Sequence, residues 1–245
     1  MLKKLNTTRY VTPLREGGSL PAIVEANDDG LYVLKLRGAG QGVKALIAEI
    51  IAGELARSLG LQVPELALME LDAAIGRAEP DEEIRDLLKA SVGTNVALDY
   101  LPGSVMFDPI VGPAPDALIA SCIVWFDALI TNVDRTAKNP NLLLWHKRLW
   151  LIDHGAALYF HHSWDDYLTR ATVKFGQVKD HVLLPFATKL AEVGPALTKL
   201  LTPGVLQAAL NEVPDAFLTG EFPTPAEHRD AYRQYFEARL KAGPL

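Results

Sequence analysis

Asp134-Arg135-Thr136-Ala137-Lys138-Asn139-Pro140-Asn141-Leu142-Leu143-Leu144-Trp145-His146-Lys147-Arg148-Leu149-Trp150-Leu151-Ile152-Asp153-His154-Gly155 is the stretch on which the fold turns. A carboxylate leads. An amide follows five residues later, and a second amide two residues after that. Leu142–Trp145 and Leu149–Ile152 are short apolar runs bounded by polar residues. With His146-Lys147-Arg148 between them they read as a hairpin. A second carboxylate, Asp153, stands directly after the second strand.

Upstream of this stretch, Leu118, Ile119, Cys122, Ile123, Phe126, Leu129 and Ile130 recur with helical spacing, so a helix over about 115–131 delivers the chain to Asp134. Cys122 lies on that apolar stripe and reads as a core thiol. Further upstream the pattern changes to strands. Tyr10-Val11-Thr12, Ala22–Ala26 and Leu31–Leu36 are strand-like, and Asn27-Asp28-Asp29-Gly30 is a turn between two of them. A glycine-containing loop, Gly38 to Gly42, precedes a helix at about 44–59 with Gly60 as its C-cap. Strands follow at about 63–71 and 95–100, with an exposed helix at about 81–90 between them. Downstream, helices are expected at about 180–193, 203–212 and 225–241. The result is an α+β chain with a small strand-rich lobe, residues 1–100, and a larger helical lobe, residues 101–245.

The chain has 245 residues, 49% of them hydrophobic, enough for a sizeable core. A net charge of −6 argues against a generally basic nucleic-acid surface. With one cysteine no intrachain disulfide can form, which fits a reducing compartment. The N-terminus lacks the apolar run of a signal peptide. No stretch approaches the ~18 apolar residues of a membrane helix. A cytoplasmic protein without membrane insertion, monomeric or weakly dimeric, is the expectation.

Two carboxylates and an amide in this order suit phosphoryl transfer, which needs positioning and charge neutralisation more than covalent help. Four jobs have candidates. Gly17-Gly18-Ser19 could bring backbone N–H groups to phosphates, although such a triplet is also an ordinary turn. Lys35, inside an apolar strand, needs a partner if buried, and Glu49 on the following helix is the natural one. Asp134 would orient an accepting hydroxyl; a turn or capping aspartate is the plain alternative. Asn139 and Asp153 would hold magnesium through oxygen. Asn141 competes with Asn139, which is preferred by its spacing from Asp134. Arg135 and Lys138 flank Asp134 and could attract phosphates or an acidic substrate.

These stretches resemble the HipA-like kinases, a compact bacterial branch related to the serine/threonine kinase toxin HipA and more distantly to phosphatidylinositol kinases. The resemblance is carried by Gly17-Gly18-Ser19-Leu20-Pro21, Tyr32-Val33-Leu34-Lys35, Glu49 with Leu55-Ala56, Gly60-Leu61-Gln62-Val63-Pro64, Asp134 to Leu143 and Ile152-Asp153-His154-Gly155. It implies a two-lobed protein-kinase-like fold with ATP in the cleft and Mg2+ as cofactor. It further implies Asp134 as catalytic aspartate, Asn139 and Asp153 as metal ligands, and Lys35 with Glu49 at the phosphates. Asp99-Tyr100-Leu101 becomes the adenine-contacting connector, acting through backbone groups. Ser19 matches a loop serine that some relatives autophosphorylate.

The chain departs from the pattern in three places. Thr136 stands where HipA and the lipid kinases carry histidine. The strand junction reads Asp153-His154-Gly155 rather than Asp-Phe-Gly. The chain is short for a full HipA toxin, so the toxin's partner and target are not implied. The sequence therefore reads as an ATP- and magnesium-dependent kinase acting on a hydroxyl, of protein serine or threonine or of a small molecule. A pseudokinase serving as nucleotide-binding or scaffolding module, and an enzyme that transfers AMP, are the alternatives.

Among the remaining residues, His161-His162 lack a third spaced ligand and read as surface or packing residues. His154 could contact nucleotide but suits a structural hydrogen bond better. Trp145 and Trp150 read as hairpin packing. Tyr232, Tyr235, Phe236 and Leu240 form the apolar face of a terminal helix.

Overall fold

A computed structural model of the chain describes residues 1–14 and 20–245. It divides into two compact units, Met1–Ile50 with Pro64–Pro102, and Ile51–Val63 with Gly103–Leu245.

In the first unit β1 (Lys3–Pro13), β2 (Ala22–Ala26), β3 (Leu31–Lys35), β4 (Leu66–Leu71) and β5 (Gly93–Asp99) close into a barrel in the order β1-β2-β3-β5-β4. Strand β1 begins earlier than Tyr10 because it serves two neighbours. Lys3–Asn6 run parallel to β4, and Thr7 to Pro13 run antiparallel to β2. Alternation decides what enters the barrel: Ala22, Val24, Ala26, Tyr32 and Leu34 point in, so Lys35 falls on the outer face. The turn at Asn27–Gly30 forms as expected. Asp28 Oδ1 accepts the Gly30 N–H at 3.1 Å, and its Oδ2 accepts the Tyr32 hydroxyl at 2.8 Å.

Helix α1 (Val43–Ser58) follows β3. It ends in a Schellman arrangement: the Gly60 N–H donates to Arg57 and the Leu61 N–H to Ala56, with Gly60 at φ +78°. No atom lies within 4 Å of where a Gly60 Cβ would stand, so only the left-handed backbone penalises a side chain. Gly60→Ala is expected to cost about 1 kcal/mol, read as a lowered denaturant midpoint with unchanged slope. Helix α2 (Glu82–Ala90) starts from Asp81, whose side chain accepts the Glu83 and Ile84 N–H groups. Its outer side is exposed as expected, and Ile84 and Leu88, four residues apart, join the buried hydrophobic cluster that includes Met69, Leu71 and Ala97.

In the second unit β6 (Val105–Met106), β7 (Leu142–Trp145) and β8 (Arg148–Leu151) form a small antiparallel sheet. His146 and Lys147, at φ +48° and +61°, make a two-residue turn. Arg148 therefore pairs with Trp145 instead of standing in the turn. Helix α3 (Ala117–Leu129) is buried from Ala120 to Leu129 apart from Cys122, the position of a central helix that is apolar all round.

Helices α4 (Tyr167–Ala171), α5 (Leu190–Leu200), α6 (Pro203–Asn211) and α7 (Pro225–Ala242) complete the unit. The helix expected at about 180–193 does not form. Single 3-10 turns at Gly176–Asp180 and Leu184–Phe186 occupy the region, and α5 starts at Leu190. Pro185 cannot donate a helical hydrogen bond and restricts Leu184, and His181 is drawn inward by a buried partner. Helix α7 buries Tyr232, Tyr235 and Phe236. It also buries Arg239, which donates to the Ala128 and Leu129 carbonyls at the C-terminus of α3. Among the described residues, no helix is long and apolar enough to cross a membrane.

Candidate active site

Helix α3 hands the chain to Asp134 through a loop with little freedom. Thr131 turns at φ +51°, and the Asn132 N–H returns to the Asp127 carbonyl at 2.9 Å. Asn132 Oδ1 then accepts the Asp134 N–H at 3.1 Å. The Asp134 side chain is half-buried. Its Oδ2 accepts Asn139 Nδ2 at 2.7 Å and Asn141 Nδ2 at 3.2 Å. Both amides thus converge on one carboxylate oxygen, and Asp134 Oδ1 makes no hydrogen bond among the described residues. Asn139 Oδ1 is likewise left as an open acceptor beside it.

Thr136 is built into this loop. Its N–H donates to the carbonyls of Asp134 at 2.9 Å and Asn139 at 3.1 Å, and the Asn139 N–H returns to the Thr136 carbonyl at 3.2 Å. The Asn139 N–H also reaches Thr136 Oγ1 at 3.4 Å. Threonine here closes the turn that carries Asn139.

Arg135 is not the phosphate-attracting surface cation expected beside Asp134. It is 1% exposed. Its Nε donates to Asp127 Oδ2 at 2.6 Å, and its Nη1 donates to the Asn141 carbonyl and to that of Ile152 at 3.4 Å. A guanidinium buried this deeply requires a carboxylate, and α3 supplies one. Lys138 remains exposed.

The hairpin brings Asp153 back toward the loop. The Ile152 N–H donates to the Asn141 carbonyl at 3.1 Å, and Asp153 follows at φ +55°. A non-glycine residue in the left-handed region is held there by its surroundings, and such positions cluster at functional sites. His154 is fully buried, edge-on to Phe126 with ring centroids 6.3 Å apart.

In the first unit Lys35 Nζ lies 3.5 Å from Glu49 Oε2, the side chains being 12% and 1% exposed. The strand lysine and helix glutamate are therefore brought together. The Asp99 N–H donates to the Glu65 carbonyl and the Tyr100 N–H to the Leu31 carbonyl. The Leu101 N–H has no acceptor among the described residues, although Leu101 is buried. Burial, followed by the Glu65 charge, pushes the Asp99 carboxyl up. Gly17, Gly18 and Ser19 lie outside the described residues.

Sequence reasoning missed Asp127 and His181. Asp127 is 0% exposed. Its Oδ1 accepts Asn132 Nδ2 at 3.0 Å, and its Oδ2 accepts both Arg135 Nε and His181 Nε2, the latter at 2.8 Å. The Leu183 N–H donates to His181 Nδ1 at 3.0 Å, so the ring proton facing Asp127 is on Nε2. Burial raises the Asp127 carboxyl, but the Arg135 charge and the His181 hydrogen bond outweigh it and hold the group well below the usual carboxylate range. The signal was present: an aspartate in an otherwise apolar helix has to be paired.

The other side chains behave plainly. Cys122 is half-buried, with its thiol pushed up by burial and by the Asp116 charge. Trp145 and Trp150 pack edge-to-face with ring centroids 5.2 Å apart. His161 is buried against the Tyr232 hydroxyl at 2.8 Å.

A family model described as HipA-like kinase matches residues 8–219. No protein of curated function matches the sequence. Among solved structures, the proinflammatory kinase CtkA of Helicobacter pylori is similar at TM-score 0.59 and 12% identity. The match covers 100% of this chain and 95% of that one. The Golgi casein kinase matches at TM-score 0.49 and 13% identity, over 98% of this chain and 73% of that one. Its form with Mn and ADP bound matches at TM-score 0.47 and 12% identity, with the same coverage. The likeness to CtkA shows a kinase fold.

Proposed function

This chain belongs to the HipA-like kinase family, and from that premise we propose that it transfers the γ-phosphoryl group of ATP, with Mg2+, to a hydroxyl of a protein serine or threonine or of a small molecule. The observation that carries the reading is the convergence of Asn139 and Asn141 on Asp134 Oδ2, which leaves Asp134 Oδ1 open. A carboxylate held by one oxygen and open at the other suits a group that must align an incoming hydroxyl and take its proton.

In this reading Lys35, steadied by Glu49, presents its ammonium to the α- and β-phosphates. The Leu101 N–H donates to the adenine. The hydroxyl oxygen, aligned by Asp134, attacks the γ-phosphorus. The bond from that phosphorus to the β–γ bridging oxygen breaks, ADP leaves, and the hydroxyl proton passes to Asp134 Oδ1. Asn139 Oδ1 and the Asp153 carboxylate are hard oxygen donors, two in number, which fits a magnesium ion that keeps waters and phosphate oxygens as its other ligands. When bound, the metal neutralises charge on the phosphates. Thr136, where relatives carry histidine, supports the loop through its backbone and hydroxyl and leaves the proposed base unobstructed.

Incubation of the purified protein with ATP and Mg2+, followed by intact mass spectrometry, tests this. The expected result is a metal-dependent gain of one phosphate that is absent in Asp153→Ala. A gain of one AMP would replace phosphoryl transfer with nucleotidyl transfer. Absence of any nucleotide binding would leave a scaffold and end the kinase reading.

A further inference from the structure

Three side chains, those of Asn132, Arg135 and His181, meet at the buried carboxylate of Asp127, and two of them lead to residues on which the proposed chemistry depends. Toward Asp134, the path is one residue long. Asp127 Oδ1 holds Asn132 Nδ2 at 3.0 Å, and Asn132 Oδ1 holds the Asp134 N–H at 3.1 Å. Toward Asp153, the path runs through Arg135. Asp127 Oδ2 holds Nε at 2.6 Å, and Nη1 reaches the carbonyls of Asn141 and Ile152, the latter being the peptide oxygen immediately before Asp153. His181 closes the cluster from a distant part of the chain. Its Nε2 donates to Asp127 Oδ2 at 2.8 Å, while the Val182 N–H beside it donates to the Arg135 carbonyl at 3.1 Å. An isolated bridge between Thr136 and His181 adds a backbone clamp.

Resting on the phosphotransferase reading, we propose that Asp127, Arg135 and His181 form a buried positioning cluster that fixes the backbone carrying Asp153 relative to the loop carrying Asp134 and Asn139, and so sets the affinity for the divalent metal. None of the three is a catalytic residue. Arg135 acts through the Asn141 and Ile152 carbonyls, Asp127 acts through Arg135 and through Asn132, and His181 acts through Asp127 and Arg135.

The chemistry of the guanidinium makes this specific. Its planar fork donates in three directions at once, to a carboxylate on α3 and to two carbonyls at the open end of the hairpin. A lysine ammonium keeps the charge but is a single point on a flexible stem. It has donors enough but no rigid fork, so it does not hold Asp127 and the two carbonyls in one fixed geometry. Outer-shell groups that orient metal ligands typically alter metal affinity by about 10- to 100-fold when changed.

The test is a titration of a fluorescent ADP analogue against the full-length protein at graded Mg2+ concentrations, with thermal melts in parallel. Arg135→Lys is expected to leave metal-free analogue affinity unchanged and to raise the Mg2+ needed for half-maximal enhancement by about tenfold. A folded Arg135→Lys with an unchanged Mg2+ requirement overturns the proposal. So does an equal loss of affinity with and without metal, the mark of a merely structural role. If Arg135→Lys does not fold, His181→Phe decides, because it leaves the Arg135–Asp127 pair in place. A smaller shift of the Mg2+ requirement in the same direction supports the proposal, and no shift overturns it. Wild-type protein that binds no analogue, or binds it without regard to Mg2+, defeats the phosphotransferase reading itself, and the positioning role falls with it.

Discussion

Asp134→Asn is expected to slow phosphoryl transfer by about 10²- to 10⁴-fold while leaving analogue binding within a few-fold of wild type. The replacement is close to isosteric. Its carbonyl oxygen can still accept from Asn139 and Asn141, as Oδ2 does at 2.7 and 3.2 Å, so the loop has no reason to rearrange. What is lost is the negative charge and the open oxygen that takes the acceptor proton. That oxygen contributes as the hydroxyl becomes a nucleophile, so the loss falls on the chemical step and not on nucleotide affinity. The measurement is a time course of phosphate incorporation by intact mass, with fluorescent analogue titrations on the same preparations. Turnover within about threefold of wild type would remove Asp134 as the base. Loss of analogue binding together with turnover would mean that Asp134 supports the loop instead.

The local parts of this arrangement were legible in the sequence because local chemistry writes them. The Asn27–Gly30 turn, the Gly60 cap, the hairpin and the five-residue spacing of Asp134 and Asn139 each depend on neighbours a few positions apart. The Lys35–Glu49 pair was legible for another reason: a cation in an apolar strand and an acid in an apolar helix each demand a partner. The same logic applies to Asp127 but was masked, since the helical stripe from Leu118 to Ile130 could be traced without it. His181 was out of reach of any local pattern, lying 54 residues from its carboxylate. That distant contact also helps break the helix expected at 180–193, so one long-range interaction accounts for a missed site residue and for a mistaken element. Arg135 was noticed for its position next to Asp134 and assigned the wrong direction. Adjacent residues in a loop can differ in direction, and here the carboxylate stays half-buried while the guanidinium is fully buried.

Removing the Asp127 carboxylate is expected to be strongly destabilising. Asp127→Asn leaves the Arg135 charge buried without its counterion, and breaking a buried pair from one side typically costs about 3–5 kcal/mol. In a chain of this size that is a fall in melting temperature of roughly 10 °C. The pH dependence identifies the cause. The Asp127 carboxyl is held well below its ordinary range: burial opposes ionisation, but Arg135 and His181 prevail. A depressed folded pKa contributes stability that is complete above the unfolded carboxyl value, about 3.9, and is lost as pH falls below it toward the folded value. The wild-type advantage over Asp127→Asn should therefore be flat from about pH 5 to 8 and shrink below about pH 4. Denaturant midpoints at pH 7, 5 and 3 measure it. A gap as large at pH 3 as at pH 7 would mean that shape, not charge, accounts for the loss. Stability and positioning can then be separated in one protein. Buried ion pairs are often replaced by apolar residues of similar volume without loss of stability. Asp127→Leu combined with Arg135→Met should thus recover the part of the melting temperature lost to the unpaired guanidinium, and not the part held by the Asn132 Nδ2 and His181 Nε2 donors that Asp127 accepts. It should not recover the Mg2+ affinity, because neither side chain can donate to the Asn141 and Ile152 carbonyls.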